Sequence, residues 1–341
     1  MIRARTPLRI SFAGGGTDVS PYPEEKGGCV LNATIDMYVY ATLAPNHNHA
    51  ISIRSLDYDF VVNYTKTADL DLNGQMDLAK CVIKRFEAGN FDKQGFDLYI
   101  HSDAPPGSGL GSSSTFVVTL IGLFKELRGV ALTPYEIAEM AFDIERREVA
   151  IKGGRQDQYA AAFGGFNFIE FYKDQTVVTP LKLSQSLVNE LEYSLLLCYT
   201  GGVRESQRII DKQMENYRAK SQATLDAFDH TKQLAIEMKK VLLLGKLNDF
   251  GHLLHQGWEY KKKFADSIST SYIDELYAEA RKAGAIGGKI AGAGGGGYMM
   301  LYCPFDKKHK VSQRLAELGG KIINFRFDLQ GLQTWHLPDA H

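Results

Sequence analysis

Three things are scarce in this 341-residue chain, and each scarcity removes a class of protein. Cysteine occurs four times, at Cys29, Cys81, Cys198 and Cys303, far apart and with no C-x-x-C pair. A disulfide framework, a zinc ribbon and a dithiol redox centre are therefore not expected, and the low count suits a reducing compartment. An excess of charge of one sign is also missing: 39 Lys+Arg stand against 40 Asp+Glu, for a net charge of −1. No broad basic field recruits nucleic acid or an anionic membrane, so an anionic ligand has to be held by a local site. Long apolar runs are missing too, since none approaches the ~20 residues of a membrane span. The opening Met1-Ile2-Arg3-Ala4-Arg5-Thr6-Pro7 has no apolar segment of the signal-peptide kind, so the expected location is the cytoplasm. No repeat and no low-complexity segment is found.

Glycine is plentiful, and it gathers in three stretches. They are Ala13-Gly14-Gly15-Gly16-Thr17-Asp18, Pro105-Pro106-Gly107-Ser108-Gly109-Leu110-Gly111-Ser112-Ser113-Ser114-Thr115, and Ile290-Ala291-Gly292-Ala293-Gly294-Gly295-Gly296-Gly297-Tyr298. The central stretch follows an alternating segment, Gly95 to His101, that reads as a strand. It precedes an apolar run, Phe116 to Leu127, that reads as a buried helix. It therefore joins a strand to a helix N-terminus. Small residues let an anion approach backbone N–H groups, the helix end adds partial positive charge, and four consecutive hydroxyl residues add donors or metal ligands. The same residues would also serve as a flexible turn with Ser/Thr caps. No G-x-x-x-x-G-K-[ST] occurs, and G-x-G-x-x-G fails from Gly107 because its sixth position is Ser112. In the first stretch, Asp18 is either an acceptor for sugar hydroxyls or an ordinary turn aspartate.

Periodicity and punctuation predict the remaining elements. Residues 2–12 read as a strand broken by Pro7. Residues 28–44, rich in β-branched and aromatic side chains, are expected to pair with 50–64 around Pro45-Asn46-His47-Asn48, which makes His47 and His49 turn residues. Leu78, Val82, Ile83 and Phe86 mark a helix over 77–88. Thr133-Pro134-Tyr135-Glu136 is a capping box whose helix runs towards Glu148 and is stopped by Gly153-Gly154. A strand of 166–172 follows. The polar segment 174–190 carries Pro180 and is where the domain boundary is placed, giving units 1–185 and 186–341. Beyond it come a strand over 193–199, helices near 205–219, 222–243, 246–256, 271–283 and 308–318, and a strand over 321–328. His252 and His255 stand one turn apart with no third metal ligand in reach. By pattern the class is α+β.

Three glycine stretches in separate parts of the chain are hard to explain as turns. Pro-Gly-x-Gly-Leu-Gly-Ser-Ser at 106–113 resembles the phosphate-binding motif of the GHMP kinases. Residues 14–18 resemble their first motif and 289–297 their third, in the family's order, so the resemblance covers nearly the whole chain. Arg9 to Asp18, with Lys152-Gly153-Gly154-Arg155-Gln156-Asp157-Gln158-Tyr159-Ala160-Ala161, looks most like the branch that phosphorylates the anomeric C1 hydroxyl of D-glycero-D-manno-heptose 7-phosphate for nucleotide-activated heptose and surface polysaccharide. The resemblance implies a two-domain fold. The N-terminal half would be like ribosomal protein S5 domain 2, with a left-handed β-α-β connection that departs from the usual rule. The C-terminal half would be a ferredoxin-like α/β sandwich.

The resemblance also implies roles. Gly107, Ser108, Gly109, Leu110, Gly111, Ser112 and Ser113 would hold the ATP phosphates. Ser113 and Glu145 would ligate Mg²⁺, with Glu148 as a rival to Glu145. Asp157 would act as general base, or only orient the hydroxyl. Gly15, Gly16, Thr17 and Asp18 would bind the sugar, and Arg9 and Arg155 would meet its phosphate by bidentate contacts. Arg155 could instead pair with Asp157. Arg204 is a further cation of the same kind, and all three arginines could equally be structural ion pairs. The partner is then a small sugar phosphate, with no nucleic acid and no membrane, and a homodimer is compatible with the reading. Rival readings are a kinase of galactose, fucose or a uronic acid, and a non-catalytic sensor on the same fold.

Overall fold

The computed structural model describes residues 1–46, 50–57, 60–64, 70–87, 95–202, 206–219 and 221–337, so His47, His49 and Arg204 lie outside the described residues. The first part of the chain runs β1 (Ile2–Ala13), α1 (Tyr22–Lys26), β2 (Gly28–Asn46), β3 (Ile51–Ser55), β4 (Phe60–Tyr64), α2 (Asp77–Glu87) and β5 (Gly95–Ser102). It continues with α3 (Ser112–Arg128), α4 (Pro134–Asp143), a π-helical turn (Ile144–Glu148), α5 (Gln156–Phe163), β6 (Phe166–Phe171) and β7 (Thr176–Pro180). The second part is α6 (Gln185–Ser194), β8 (Leu195–Tyr199), α7 (Ser206–Arg218), α8 (Gln222–Leu243), α9 (Leu247–Lys262), α10 (Ser271–Ala283), β9 (Gly287–Ile290), β10 (Tyr298–Tyr302), α11 (Lys308–Glu317), β11 (Lys321–Ile323) and β12 (Gln333–His336).

The first sheet has the order β12-β1-β2-β5-β3-β4, with β6 on β2 and β7 on β6. Its spine is β2, whose first residues pair with β6 (Gly28 opposite Phe171) and whose last pair with β5 (Asn46 opposite Gly95). The expected hairpin of 28–44 with 50–64 is therefore corrected: β5 lies between β2 and β3, and β3 pairs with β5 in parallel and with β4 antiparallel. Pro7 does not end β1. It is absorbed by a register shift between Pro7 and Leu8, as expected where a residue brings no N–H to the ladder. From Thr6 onward β1 is buried on both faces, because α3 and the pair α8–α9 all pack on it. The apolar helix read from Phe116 is α3, and Val117, Val118, Leu120, Ile121, Leu123 and Phe124 on it have no exposed surface.

The second sheet has the order β11-β8-β10-β9 and is antiparallel throughout. The chain passes β8, helices, β9, β10, α11 and β11, the ferredoxin-like succession that the family resemblance implies. The strand expected over 321–328 stops at Ile323. The chain then crosses back to the first sheet, where Phe327 bridges Ile35 and β12 pairs with the outer edge of β1. Helix α9 packs on both β1 and β9 and so ties the two sheets together.

Candidate active site

Strand β5 delivers the central glycine loop to the N-terminus of α3. Gly107, Gly109 and Gly111 have φ of 74°, 86° and 81°, the left-handed region that favours glycine. The loop needs glycine for space as well. A Cβ on Gly109 would stand 2.5 Å from the Ala291 carbonyl oxygen, and one on Gly111 would stand 3.3 Å from Asp157 Oδ2. Gly111 caps α3 without a side-chain hydrogen bond, and no acidic residue occupies the first turn. The positive end of a 17-residue helix therefore opens on the cleft, lined there by Ser112, Ser113 and Ser114. Two members of the run turn inward. Leu110 is fully buried and its carbonyl accepts the Arg9 N–H at 3.1 Å. The Ser108 carbonyl accepts the Tyr298 N–H at 3.2 Å. These main-chain bonds fix the loop, and neither residue lines the cleft.

Glu145 is buried at the π-helical turn, beneath the start of α3. Its Oε1 accepts the Ser113 hydroxyl at 2.8 Å, and its Oε2 accepts the Ser114 hydroxyl at 2.6 Å and the Gln158 side-chain amide. Glu148 faces elsewhere and is bonded and paired to Arg85. Of the two rival acids, Glu145 alone is joined to Ser113.

Asp157 stands in the first turn of α5 and lines the same cleft. Its Oδ1 receives the Arg9 guanidinium through Nε at 2.8 Å and Nη2 at 2.7 Å, while Arg9 Nη1 donates to the Gly109 carbonyl at 2.5 Å. One buried arginine on β1 thus locks the carboxylate to the glycine loop. Arg155, the alternative partner for Asp157, is corrected. Its guanidinium pairs with Glu24, donates to the Tyr172 carbonyl and lies over the Phe142 ring, and it does not line the cleft. The residue before Asp157 in sequence is Gln156, whose backbone N–H donates to Asp18 Oδ2 at 3.2 Å. Helix α5 therefore presents Gln156 and Asp157 to the cleft and turns Arg155 out.

Asp18 is buried with fixed oxygens. Oδ1 accepts the Gly16 N–H at 2.9 Å, and Oδ2 accepts both Gln156 donors. It packs so closely on Gly154 that a Cβ there would lie 1.9 Å from Oδ2. Gly15 and Gly16 line the cleft. Thr17 does not: its single O–H has the Gly14 carbonyl at 2.8 Å and the Cys29 carbonyl at 3.0 Å as acceptors and its oxygen accepts the Cys29 N–H, which pins the glycine turn to β2. Two further buried cations line the site: Lys261 at the end of α9, which carries no sequence signal, and Lys289 on β9, the first residue of the third glycine motif, which was given no role from sequence. Burial pushes the Lys261 ammonium down to about 8, against the pull of Asp18. Burial, then Lys261 and Arg9, push Lys289 down to about 7, again opposed by Asp18.

The cleft has a volume of about 540 Å³, the size of a small-molecule site, and combines an uncapped helix end, a glycine loop, three acids and five cations, of which Arg146 donates to the Ile151 and Gly154 carbonyls and Lys152 pairs with Asp211. His252 and His255 have no part in it: His255 is hydrogen-bonded to Tyr277. The chain matches the family description "GHMP kinases N terminal domain" over residues 77–165 and "GHMP kinases C terminal" over residues 238–321. A D-glycero-alpha-D-manno-heptose 7-phosphate kinase of Campylobacter jejuni subsp. jejuni is 37% identical, over 98% of this chain and 99% of its own. The crystal structure of a D-glycero-D-manno-heptose 1-phosphate kinase from Bacteriodes thetaiotaomicron superposes with a TM-score of 0.84 at 35% identity, covering 99% of this chain and 100% of that one. A Lactococcus lactis galactokinase complexed with galactose shares the fold at a TM-score of 0.78 and 18% identity, over 97% and 95% of the two chains.

Proposed function

We propose, for a chain that belongs to the GHMP kinase family, transfer of the γ-phosphoryl group of ATP to the C1 hydroxyl of D-glycero-D-manno-heptose 7-phosphate, giving the 1,7-bisphosphate and ADP. The observation that carries this reading is the Arg9–Asp157 pair set against the loop at the uncapped end of α3, with Asp18 in the same cleft. The loop and helix end hold the triphosphate through backbone N–H groups and the Ser112 and Ser113 hydroxyls. The Ser113 hydroxyl and the Glu145 carboxylate are hard-oxygen donors of the kind that suits Mg²⁺, which when bound neutralises charge on the phosphates.

Phosphoryl transfer asks a protein for alignment, charge balance and a place for one proton. Asp18 accepts hydrogen bonds from sugar hydroxyls and sets the ring. Asp157 takes the proton of the attacking hydroxyl as the new C1–O–P linkage forms and the bond to the β-phosphate oxygen breaks, with the electron pair leaving on ADP. Arg9 keeps the Asp157 carboxylate aimed at the loop. A cytoplasmic location and a supply of heptose phosphate for surface polysaccharide follow from this reading.

Phosphorus NMR of the product made from heptose 7-phosphate and MgATP tests it. The expected spectrum gains one phosphomonoester resonance coupled to the anomeric proton, beside the unchanged 7-phosphate signal. Absence of that resonance, with turnover of galactose, fucose or a uronic acid instead, would overturn it.

A further inference from the structure

Lys261 is 5% exposed and Lys289 6% exposed, and both line the cleft. Such ammonium groups are ordinarily paired, because an unpaired buried charge is expensive. Here neither has a carboxylate partner among the described residues. Lys261 Nζ donates only to the Gly15 carbonyl at 3.2 Å and Gln213 Oε1 at 3.4 Å, above the Phe264 ring. Lys289 Nζ reaches only the Phe12 carbonyl at 3.5 Å. The charged groups facing them are Asp18 and Arg9, and Arg9 is already matched by Asp157. Two ammonium groups therefore share one carboxylate that touches neither. Gln213 holds its amide in place by donating to the Ala293 carbonyl at 3.1 Å, which turns its oxygen to Lys261. Beside them Ser11 Oγ and Gln156 Oε1 are buried in the cleft wall without a hydrogen-bond partner among the described residues.

We propose that Lys261 and Lys289 form a second anion seat in this cleft, separate from the glycine loop, which takes the phosphomonoester carried by the acceptor sugar. The proposal rests on the phosphoryl-transfer reading above and adds to it the group that selects a phosphorylated acceptor. Neutral hydroxyls cannot balance two ammonium groups, whereas a phosphate dianion can. The nucleotide has its own seat at α3, and the hydrogen bonds of Lys261 go to the first glycine cluster and to α7, not to the 105–115 loop. Burial keeps both amines partly neutral near neutral pH, so an arriving dianion draws protons onto them.

Titration calorimetry near pH 8, in two buffers of different ionisation heat, tests this on the intact chain with heptose 7-phosphate, the unphosphorylated heptose and a non-hydrolysable ATP analogue with Mg²⁺. The phosphorylated sugar should bind with uptake of a fraction of a proton, and the free heptose with none. Lys261→Met should weaken sugar-phosphate binding by roughly 10–100-fold, the size of a lost charge-assisted contact, and leave the nucleotide analogue unaffected. Lys289→Gln should remove most of the proton uptake. Equal binding of the two sugars by the wild-type protein would overturn the seat, and that comparison needs no variant to fold. Unchanged sugar-phosphate affinity in Lys261→Met, or the same uptake with the nucleotide analogue alone, would overturn it as well. If heptose 7-phosphate is neither bound nor turned over, the reaction proposed above fails. The seat then stands if inorganic phosphate binds with proton uptake that Lys261→Met abolishes, and falls if it does not.

Discussion

At the scale of single residues, the Arg9–Asp157 pair separates chemistry from binding. Asp157→Asn keeps the shape of the carboxylate and removes the proton acceptor, so kcat should fall by roughly 10²–10⁴-fold, with nucleotide affinity nearly unchanged. Steady-state kinetics beside equilibrium nucleotide binding checks this, and near-full turnover would remove Asp157 from the chemistry. Glu145 and Glu148 make a second contrast. Glu145→Gln leaves the Ser113 and Ser114 hydroxyls facing an amide and should raise the Mg²⁺ concentration needed for half-maximal rate, whereas Glu148→Gln, at a partly exposed ion pair, should change the rate little. Asp18 and Asp157 were singled out beside glycine clusters and Glu145 only through the family resemblance, and the structure brings all three to one cleft. The partner of Asp157 was not. Arg155 is near it in sequence, but the strand register of β1 brings Arg9 to it across 148 positions. Lys261 was hidden in the run Lys261-Lys262-Lys263, where sequence alone does not tell which face of α9 is buried.

At the scale of elements, the glycine loop makes a directional prediction. Gly109→Ala places a methyl group 2.5 Å from a backbone oxygen at φ +86°, where neither side can yield. Gly129→Ala, at φ +62° past the end of α3, meets nothing within 4 Å and bears only the backbone strain of roughly 1 kcal/mol. Urea unfolding should therefore show a distinctly larger loss for Gly109→Ala, accompanied by loss of nucleotide binding. Equal losses in the two variants would show that the close approach between loops is not rigid. The capping box before α4 was readable residue by residue, and Thr133 and Glu136 make both of its hydrogen bonds. The pairing of β2 was not. Strands 28–44 and 50–64 are neighbours in sequence, and nothing local announces that β5, which arrives after α2, inserts between them. The π-helical turn that sets Glu145 under α3 also lacks a local signature, since its residues read as ordinary helix.

At the scale of the whole molecule, the buried lysines make stability depend on pH. Their folded-state values lie below the ordinary 10.5, so burial penalises the charged form. Below about pH 7 both amines are charged in the folded and unfolded chain, and the penalty is present in full. Between about 7 and 10.5 the unfolded chain holds protons that the fold has released, so this contribution to stability rises with pH. Lys289→Met should therefore stabilise the ligand-free protein most near pH 7 and progressively less towards pH 10, as read from urea midpoints. A gain that does not vary with pH would show that the folded chain keeps Lys289 protonated across this range, with no depression of its titration. The two-sheet architecture was implied by the family resemblance that the glycine motifs carry, but the return of the last strand to β1 was not. Residues 325–336 read as a continuation of the second unit, and only tertiary pairing shows otherwise.

One seam has a consequence for the life of the chain before it is complete. The central glycine loop is shaped partly by the other sheet: Gly109 lies against Ala291, and the Ser108 carbonyl receives the Tyr298 N–H. Its left-handed turns are thus held by a segment synthesised almost two hundred residues later. A nascent or half-unfolded molecule has the glycines but not their clamp, so it cannot grip a triphosphate in a reactive pose. Under the proposed reading, competence to use ATP therefore arrives only when the second sheet closes on the loop.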